Sequence, residues 1–389
     1  MRIGIVAGEM SGDYLGAGLM RELRRIYPHA RFEGVGGRRM QAEGLASVYP
    51  MEALSVMGLV EVLRHLPHLL RIRRALVRRF REDPPALFIG VDAPDFNLRL
   101  ERRLRDVGVP TVHYVSPTVW AWRQGRIRQI AQSVDCMLCI FPFEREFFRN
   151  HAVPATFVGH PLADEIPMTP DQGEARQALG LPADGPVVAL LPGSRMSEAK
   201  YLGPVFLETA AWLYQHRPDL HFIVPCATDA IAAHMRGLAA ARNEGMPISL
   251  VDGRARESLS AATVALLASG TASLEAMLHK RPMVVAYKVS LLTGWLARYL
   301  IKVPHFAMPN LIADRRMVEE FAQHDAVPGN LGPAVLDLLE HPEKRDRLVA
   351  EFSALHERLR QDASVQAAEA VSRLLEARRG RIAETRGMT

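Results

Sequence analysis

Three cysteines in 389 residues supply no disulfide framework. No uncharged apolar run approaches the roughly 20 residues that cross a bilayer, so a membrane can be touched but not spanned. GxxxxGK[ST] is missing, and the first glycine turn reads GEMSGD instead of GxGxxG, which disfavours a P-loop enzyme and a Rossmann dehydrogenase. HExxH is missing too, and the scattered histidines, His65 and His68 among them, form no ligand pattern, so no metal site is expected. No basic leader precedes the opening MRIGIVAG. With the odd cysteine count, that predicts a reducing, cytoplasmic location.

What remains is a globular composition, 48% apolar and 23% charged, in a chain long enough for two domains. The net charge of +5 is unevenly spread. Between Met51 and Arg81 stand seven arginines against two glutamates, an excess equal to that of the whole chain.

Short apolar runs alternate with amphipathic stretches through the first half: RIGIVAG, ALFIGV, PTVHYV, DCMLCIF and ATFVGH, separated by helical patterns. Continuous apolar strands between helices predict a parallel sheet covered on both faces, an α/β layer fold. HPLADEIPMTPDQG, with three prolines, reads as a connector. Beyond it the alternation restarts with PVVALLPGSR, HFIVPC, ISLVDG, VALLASG and PMVVAY. Two facing doubly wound domains are the expectation, with charged helices from about Gly332 packing back across them. Ligands of such sheets sit beyond the carboxyl ends of the strands, which makes the cleft between the domains the expected site.

Several stretches fall at those strand ends. LLPGSRMSE places Gly193, Ser194 and Arg195 after a buried strand, where a phosphate grip and an ordinary strand-to-helix turn both fit. In ASGTASLEAML, Ser269, Gly270 and Thr271 open a helix whose free N–H groups favour an anion. Glu275 lies one turn further, placed either to accept from sugar hydroxyls or to face solvent. Two such loops in one sheet favour a nucleotide diphosphate.

GEMSGDYLGAG sets Glu9, Ser11 and Asp13 around a tight turn, with Gly12, Gly16 and Gly18 free for close approach to a ligand or for packing. GVDAPDFN delivers Asp92 and Asp95. One of them can cap a helix starting near Asn97, with Pro94 holding the turn extended. The other is left to take a proton from an attacking hydroxyl. SPTVWAWRQGRIR offers Trp120 and Trp122, either for stacking on a sugar or acyl chain or as packing. The CMLC pair, Cys136 and Cys139, reads as core, because residues three apart on a strand face opposite ways.

In GLVEVLRHLPHLLRIRRALVRRFRED, leucines 59, 63, 66 and 70 recur at helical spacing, as do Ile72, Leu76 and Phe80 after a break expected at Pro67. Arginines occupy the complementary side. Such a basic amphipathic segment suits an anionic membrane surface, although an internal helix with solvated arginines has the same pattern. No aromatic interleaves before Phe80, which argues against nucleic acid.

Seven stretches, GEMSGD, GVDAPDFN, SPTVWAW, VGHPL, LPGSRMSE, SGTASLEAML and MPNLIA, together resemble the lipid-A-disaccharide synthase family. The resemblance runs in order from the first residues to about Ala313. It implies a GT-B architecture, with an acceptor-binding domain over 1–165, a UDP-sugar-binding domain over 174–345 and terminal helices over 346–389. It implies transfer of 2,3-diacylglucosamine from UDP-2,3-diacylglucosamine to the 6-hydroxyl of 2,3-diacylglucosamine 1-phosphate, with inversion and without metal or other cofactor.

Carried onto this chain, Asp95 becomes the general base, with Asp92 as its substitute. Arg195, Ser194 and Thr271 stabilise the departing diphosphate, Glu275 holds the ribose and Asn310 touches the donor or a phosphate. Glu9, Ser11 and Asp13 line the acceptor side, though Met10 stands where a small residue is expected. A lipid-linked substrate explains the basic segment as a dock onto the cytoplasmic face of the inner membrane, with WLARYLIKV as a second apolar patch. A homodimer is compatible with this, but the sequence does not fix the oligomeric state. Two rivals stay open: a UDP-N-acetylglucosamine 2-epimerase on the same plan, and a non-catalytic membrane or nucleic-acid binder using the basic segment alone.

Overall fold

The computed structural model describes residues 1–54, 59–121, 124–241, 245–289 and 304–387. Trp122, the stretch 295–303 and the side chains of Leu59 and Leu63 lie outside the described set. The chain forms two compact units, one of Met1–Asp164 with Leu359–Thr389, the other of Glu165–Arg358.

The first unit is built on β1 (Arg2–Ala7), β2 (Arg31–Val35), β3 (Leu45–Tyr49), β4 (Leu87–Val91), β5 (Thr111–Tyr114), β6 (Cys136–Cys139) and β7 (Ala155–Phe157). They pair in the order β3-β2-β1-β4-β5-β6-β7, every pair parallel. LFIGV of β4 is buried at all five positions, the state a strand reaches only when helices cover both faces. β1 and β4 are neighbours, with Ala7 in register with Val91, and from them the chain moves outward in opposite directions. This is the switch point at which doubly wound sheets bind ligands. The GEMSGD and VDAPD turns both leave from it.

The second unit repeats the plan with β8 (Val187–Leu191), β9 (His221–Cys226), β10 (Ile248–Asp252), β11 (Val264–Ala268), β12 (Met283–Tyr287) and β13 (Glu319–Ala322). The order is β10-β9-β8-β11-β12-β13, again all parallel. Its switch point lies between β8 and β11, where Leu191 pairs with Leu267. PGSR and SGT therefore start from adjacent strands, which run about 4.8 Å apart in any sheet.

The terminal helices divide between the units. Pro342–Leu359 falls almost wholly in the second unit, whereas Ala363–Gly387 packs on Met10–Ile26 in the first. Ala367, Ala368, Val371 and Leu375 join the first unit's core. A Cβ on Gly18 would sit 2.4 Å from Ser364 Oγ, and one on Gly16 2.7 Å from Met40 Sδ, so both glycines serve packing. The Asp164 carboxylate accepts from the N–H groups of Asp362 (2.9 Å) and Ala363 (2.7 Å), tying the returning chain down.

The basic segment forms a single helix, Leu59–Glu82, with Pro67 inside it, which corrects the expected break. A proline in a helix interior costs about 3 kcal/mol. Ile72, Leu76 and Phe80, all essentially buried, return about 1.5–3 kcal/mol each and outweigh it.

Candidate active site

In the first unit the helix after β4 runs over Pro94–Arg105 and starts at Pro94, not near Asn97. Its N-cap is Ala93, so neither Asp92 nor Asp95 caps it. Pro94 takes the first helical position, where its missing N–H is no loss. Nor is the turn extended: Asp92 (φ 53°) and Ala93 (φ 43°) are both left-handed, at a cost of roughly 1–3 kcal/mol each. Buried Asn97 holds this strained corner. Its Nδ2 donates to the carbonyls of Asp92 (2.8 Å), Val6 (3.2 Å) and Val91 (3.3 Å), stapling the ends of β1 and β4 together. The corner raises Asp95 into the first helical turn, its side chain 83% exposed. Arg126 Nη2 donates to Asp95 Oδ1 at 2.8 Å. Asp92 is half-buried.

The GEMSGD turn divides its acidic residues. Glu9 is half-buried at the N-cap of Met10–Ile26, while Met10 and Ser11 are exposed. Asp13 is buried, and its two oxygens accept from the N–H groups of Arg39 and Met40, each at 3.0 Å. It caps the Arg38–Ala42 helix from across the sheet end. The structure thus gives Asp13 a structural tie between the first helix and the Arg38–Ala42 helix.

Trp120 packs edge-on against Phe143 with ring centroids 4.8 Å apart, and Phe143 stacks on Phe141. Beneath them is Glu144, which sequence reasoning missed. Its Oε2 accepts from the N–H groups of Ile140 (3.1 Å) and Phe141 (3.0 Å). Burial pushes its pKa up to about 7, against the opposing pull of those bonds. The Trp120–Phe143 contact thus joins the loops after β5 and β6.

In the second unit Gly193 adopts φ 120°, a conformation that L side chains rarely take. Ser194 and Arg195 are exposed, with Arg195 at the N-cap of Met196–His216. Glu198 folds back over the turn. Its Oε2 accepts from the N–H groups of Ser194 (3.1 Å) and Arg195 (3.3 Å), and its Oε1 from Arg195 Nη1 (3.0 Å).

On the adjacent strand end, Gly270 rather than Thr271 is the N-cap of Thr271–Leu278. Thr271 stands exposed at the first helical position, and Ser269 Oγ donates to the Phe306 carbonyl at 2.8 Å. Glu275 does not face solvent freely: Arg256 Nε donates to its Oε1 at 3.1 Å, and Arg256 also reaches Glu165 at 3.1 Å. Asn310 is corrected from a donor contact to a scaffold. Fully buried, it accepts from the N–H groups of Met317 (2.7 Å) and Val318 (2.9 Å) and donates to the Val318 carbonyl (2.9 Å).

Among the described residues no three His, Cys, Asp or Glu side chains converge on a metal-sized site. Cys136 and Cys139 are free, and burial raises both thiol pKa values.

The two switch points thus present an exposed carboxylate in one unit and, in the other, two glycine turns that open helices from adjacent strand ends. A family model for lipid-A-disaccharide synthetase matches residues 3–372. The lipid-A-disaccharide synthase of Alkalilimnicola ehrlichii is 56% identical, over 95% of this chain and 98% of its own. This chain belongs to the lipid-A-disaccharide synthase family. A second relative of that name, from Hahella chejuensis, is 52% identical over 98% of this chain and 96% of its own. The family is one of glycosyltransferases that form the lipid A disaccharide, with a UDP-sugar donor and a sugar acceptor. Among solved structures, a UDP-GlcNAc 2-epimerase from Neisseria meningitidis bound to UDP-GlcNAc has a TM-score of 0.63 at 11% identity, covering 97% of this chain and 100% of its own. The glycosyltransferase WaaG, involved in lipopolysaccharide biosynthesis, gives 0.53 at 12% identity over 95% of this chain and 99% of its own. These likenesses show the fold alone. The α/β, GT-B fold class expected from the sequence is the one observed.

Proposed function

We propose that this chain transfers 2,3-diacylglucosamine from UDP-2,3-diacylglucosamine to the 6-hydroxyl of 2,3-diacylglucosamine 1-phosphate, with inversion, releasing UDP and the β-1,6 disaccharide 1-phosphate. Asp95 takes the proton of the 6-hydroxyl as its oxygen attacks the anomeric carbon. The bond from that carbon to the diphosphate breaks, and its electron pair stays on the diphosphate. The Arg195 guanidinium, the amides at Ser194 and Arg195, and the helix terminus at Thr271 hold that growing charge. Glu275 accepts from the ribose through the oxygen that Arg256 leaves open. The observation that carries the reading is the adjacency of the PGSR and SGT loops on neighbouring strand ends. Two backbone anion seats side by side suit the two phosphates of one diphosphate.

The test uses the full chain with both acylated substrates in excess EDTA. UDP and disaccharide are expected to appear one for one at the rate seen without chelator. No product in either condition removes the reading. Conversion of UDP-N-acetylglucosamine at C2 without any acceptor would establish the epimerase instead.

The acyl chains keep the substrates in a bilayer, and we place the enzyme peripherally on its cytoplasmic face. Among the described residues no helix is long and apolar enough to cross a membrane. Support comes from the Leu59–Glu82 helix, on which Leu66 is 40% exposed beside exposed Arg71, Arg74, Arg78 and Arg81. Arg99 and Arg103 of the neighbouring Pro94–Arg105 helix extend the same field: burial first, then these two and Arg74, lowers the Arg73 pKa. Arg79 is the exception, being paired with Glu33. Each arginine near an anionic leaflet contributes roughly 1 kcal/mol. Flotation with anionic vesicles is expected to recover the protein, and recovery to fall sharply with neutral vesicles or with Arg71, Arg74 and Arg78 changed to Gln. Equal recovery throughout would exclude electrostatic docking.

A further inference from the structure

Glu198 occupies the seat that the donor needs. One oxygen takes the N–H groups of Ser194 and Arg195, and the other takes the Arg195 guanidinium. These are the donors assigned above to the departing diphosphate, and the two backbone N–H groups, each a single donor, cannot serve a carboxylate and a phosphate at once. The glycine before them shows that the turn is shaped around this carboxylate. A Cβ on Gly193 would lie 2.4 Å from both Glu198 Cβ and Glu198 Oε2, so the fold-back requires glycine there. The Glu198 charge is also felt at the end of β12, where burial and then Glu198 raise the Tyr287 pKa.

We infer that Glu198 is an internal anion that fills the diphosphate seat in the donor-free enzyme, is displaced when UDP-sugar binds, and returns to help expel UDP. The inference rests on the proposed function, since it assumes that a diphosphate binds at this turn. Displacement is easy because the Arg195–Glu198 pair is an exposed contact three residues apart, with the Arg195 side chain 67% exposed. Such pairs are weak. The phosphate brings more charge and more acceptor oxygens to the same donors. Apparent affinity for UDP is then reduced by the fraction of molecules in which the seat is open. Glu198 is in this sense a positioning residue that sets UDP affinity, acting through the seat.

The variant that separates this role from plain helix capping is Glu198→Gln, because glutamine at this position still caps but loses the ion pair with Arg195 and holds the two N–H groups less tightly than a carboxylate does, so it yields more readily to a phosphate. Titration calorimetry with UDP on the full chain is expected to show binding tightened about tenfold, the value for a seat closed nine times in ten. Product inhibition by UDP should strengthen by the same factor, with Tm unchanged. Glu198→Ala, which loses both cap and charge, should lower Tm yet still tighten UDP. UDP binding unchanged or weakened in both variants would overturn the inference. Arg195→Ala in the same series isolates the underlying reading: if it leaves UDP binding intact, the diphosphate does not bind at this turn and the proposed donor site itself has failed.

Discussion

Asp95→Ala is expected to lower kcat by about 10²–10⁴-fold, the usual contribution of a positioned general base. The fold should barely notice. Asp95 is 83% exposed, and its ion pair to Arg126 is of the exposed kind that contributes about 0.2–1 kcal/mol. Tm should move by no more than about 2–4 °C in a unit of this size. Single-turnover measurement with saturating substrates checks it, since loss of a base affects the chemical step and leaves KM for the donor nearly unchanged. Asp92→Asn belongs in the same experiment. Asp92 is half-buried on a left-handed corner, a conformation that asparagine adopts as readily as aspartate, so this replacement should leave the fold intact and report on the chemistry alone. Normal turnover in Asp95→Ala with an inactive, folded Asp92→Asn would reassign the base.

Arg195→Ala is expected to reduce kcat/KM by about 10²–10³-fold, the scale seen when one preorganised donor to a developing anion is removed. Both kcat and donor KM should worsen, because the guanidinium binds the diphosphate before transfer and stabilises it more strongly once it leaves. Arg195→Lys should recover little: an ammonium is a point charge and cannot repeat the planar fork on two phosphate oxygens. Steady-state kinetics with varied donor gives both parameters, and a loss under tenfold would remove Arg195 from the leaving-group role. Melting should stay near that of the unaltered protein, as the side chain's tie to Glu198 is an exposed ion pair at the surface.

The residues legible in advance were those whose role follows from neighbours in sequence. PGSR after VVALL and SGT after VALLA announce strand, turn and helix by themselves, and both loops stand at the expected strand ends. The position of Asp95 just after the β4 strand end was legible for the same reason. Residues whose role depends on a partner far along the chain were not. Arg126 lies 31 positions from Asp95, and Arg256 lies 19 positions from Glu275. Asp13 looked like a ligand because nothing nearby shows that the amides of Arg39 and Met40, some 26 positions on, claim it. Asn310 failed similarly, its bonds to 317 and 318 being invisible in the motif MPNLIA. Glu198 is the instructive exception: it stood inside a quoted motif, three residues from Arg195, at the spacing of a helix-capping carboxylate.

The sequence by itself determined the two parallel sheets, the absence of a spanning apolar run and the family, because strand and helix periods, glycine turns and ordered motifs are local properties of the chain. Tertiary structure alone decided which strand ends adjoin, that the last helix packs on Met10–Ile26, and which carboxylates stay exposed and which are captured. Those outcomes turn on hydrogen bonds and contacts between segments distant in sequence, and only the folded backbone sets which groups come within 3 Å of one another.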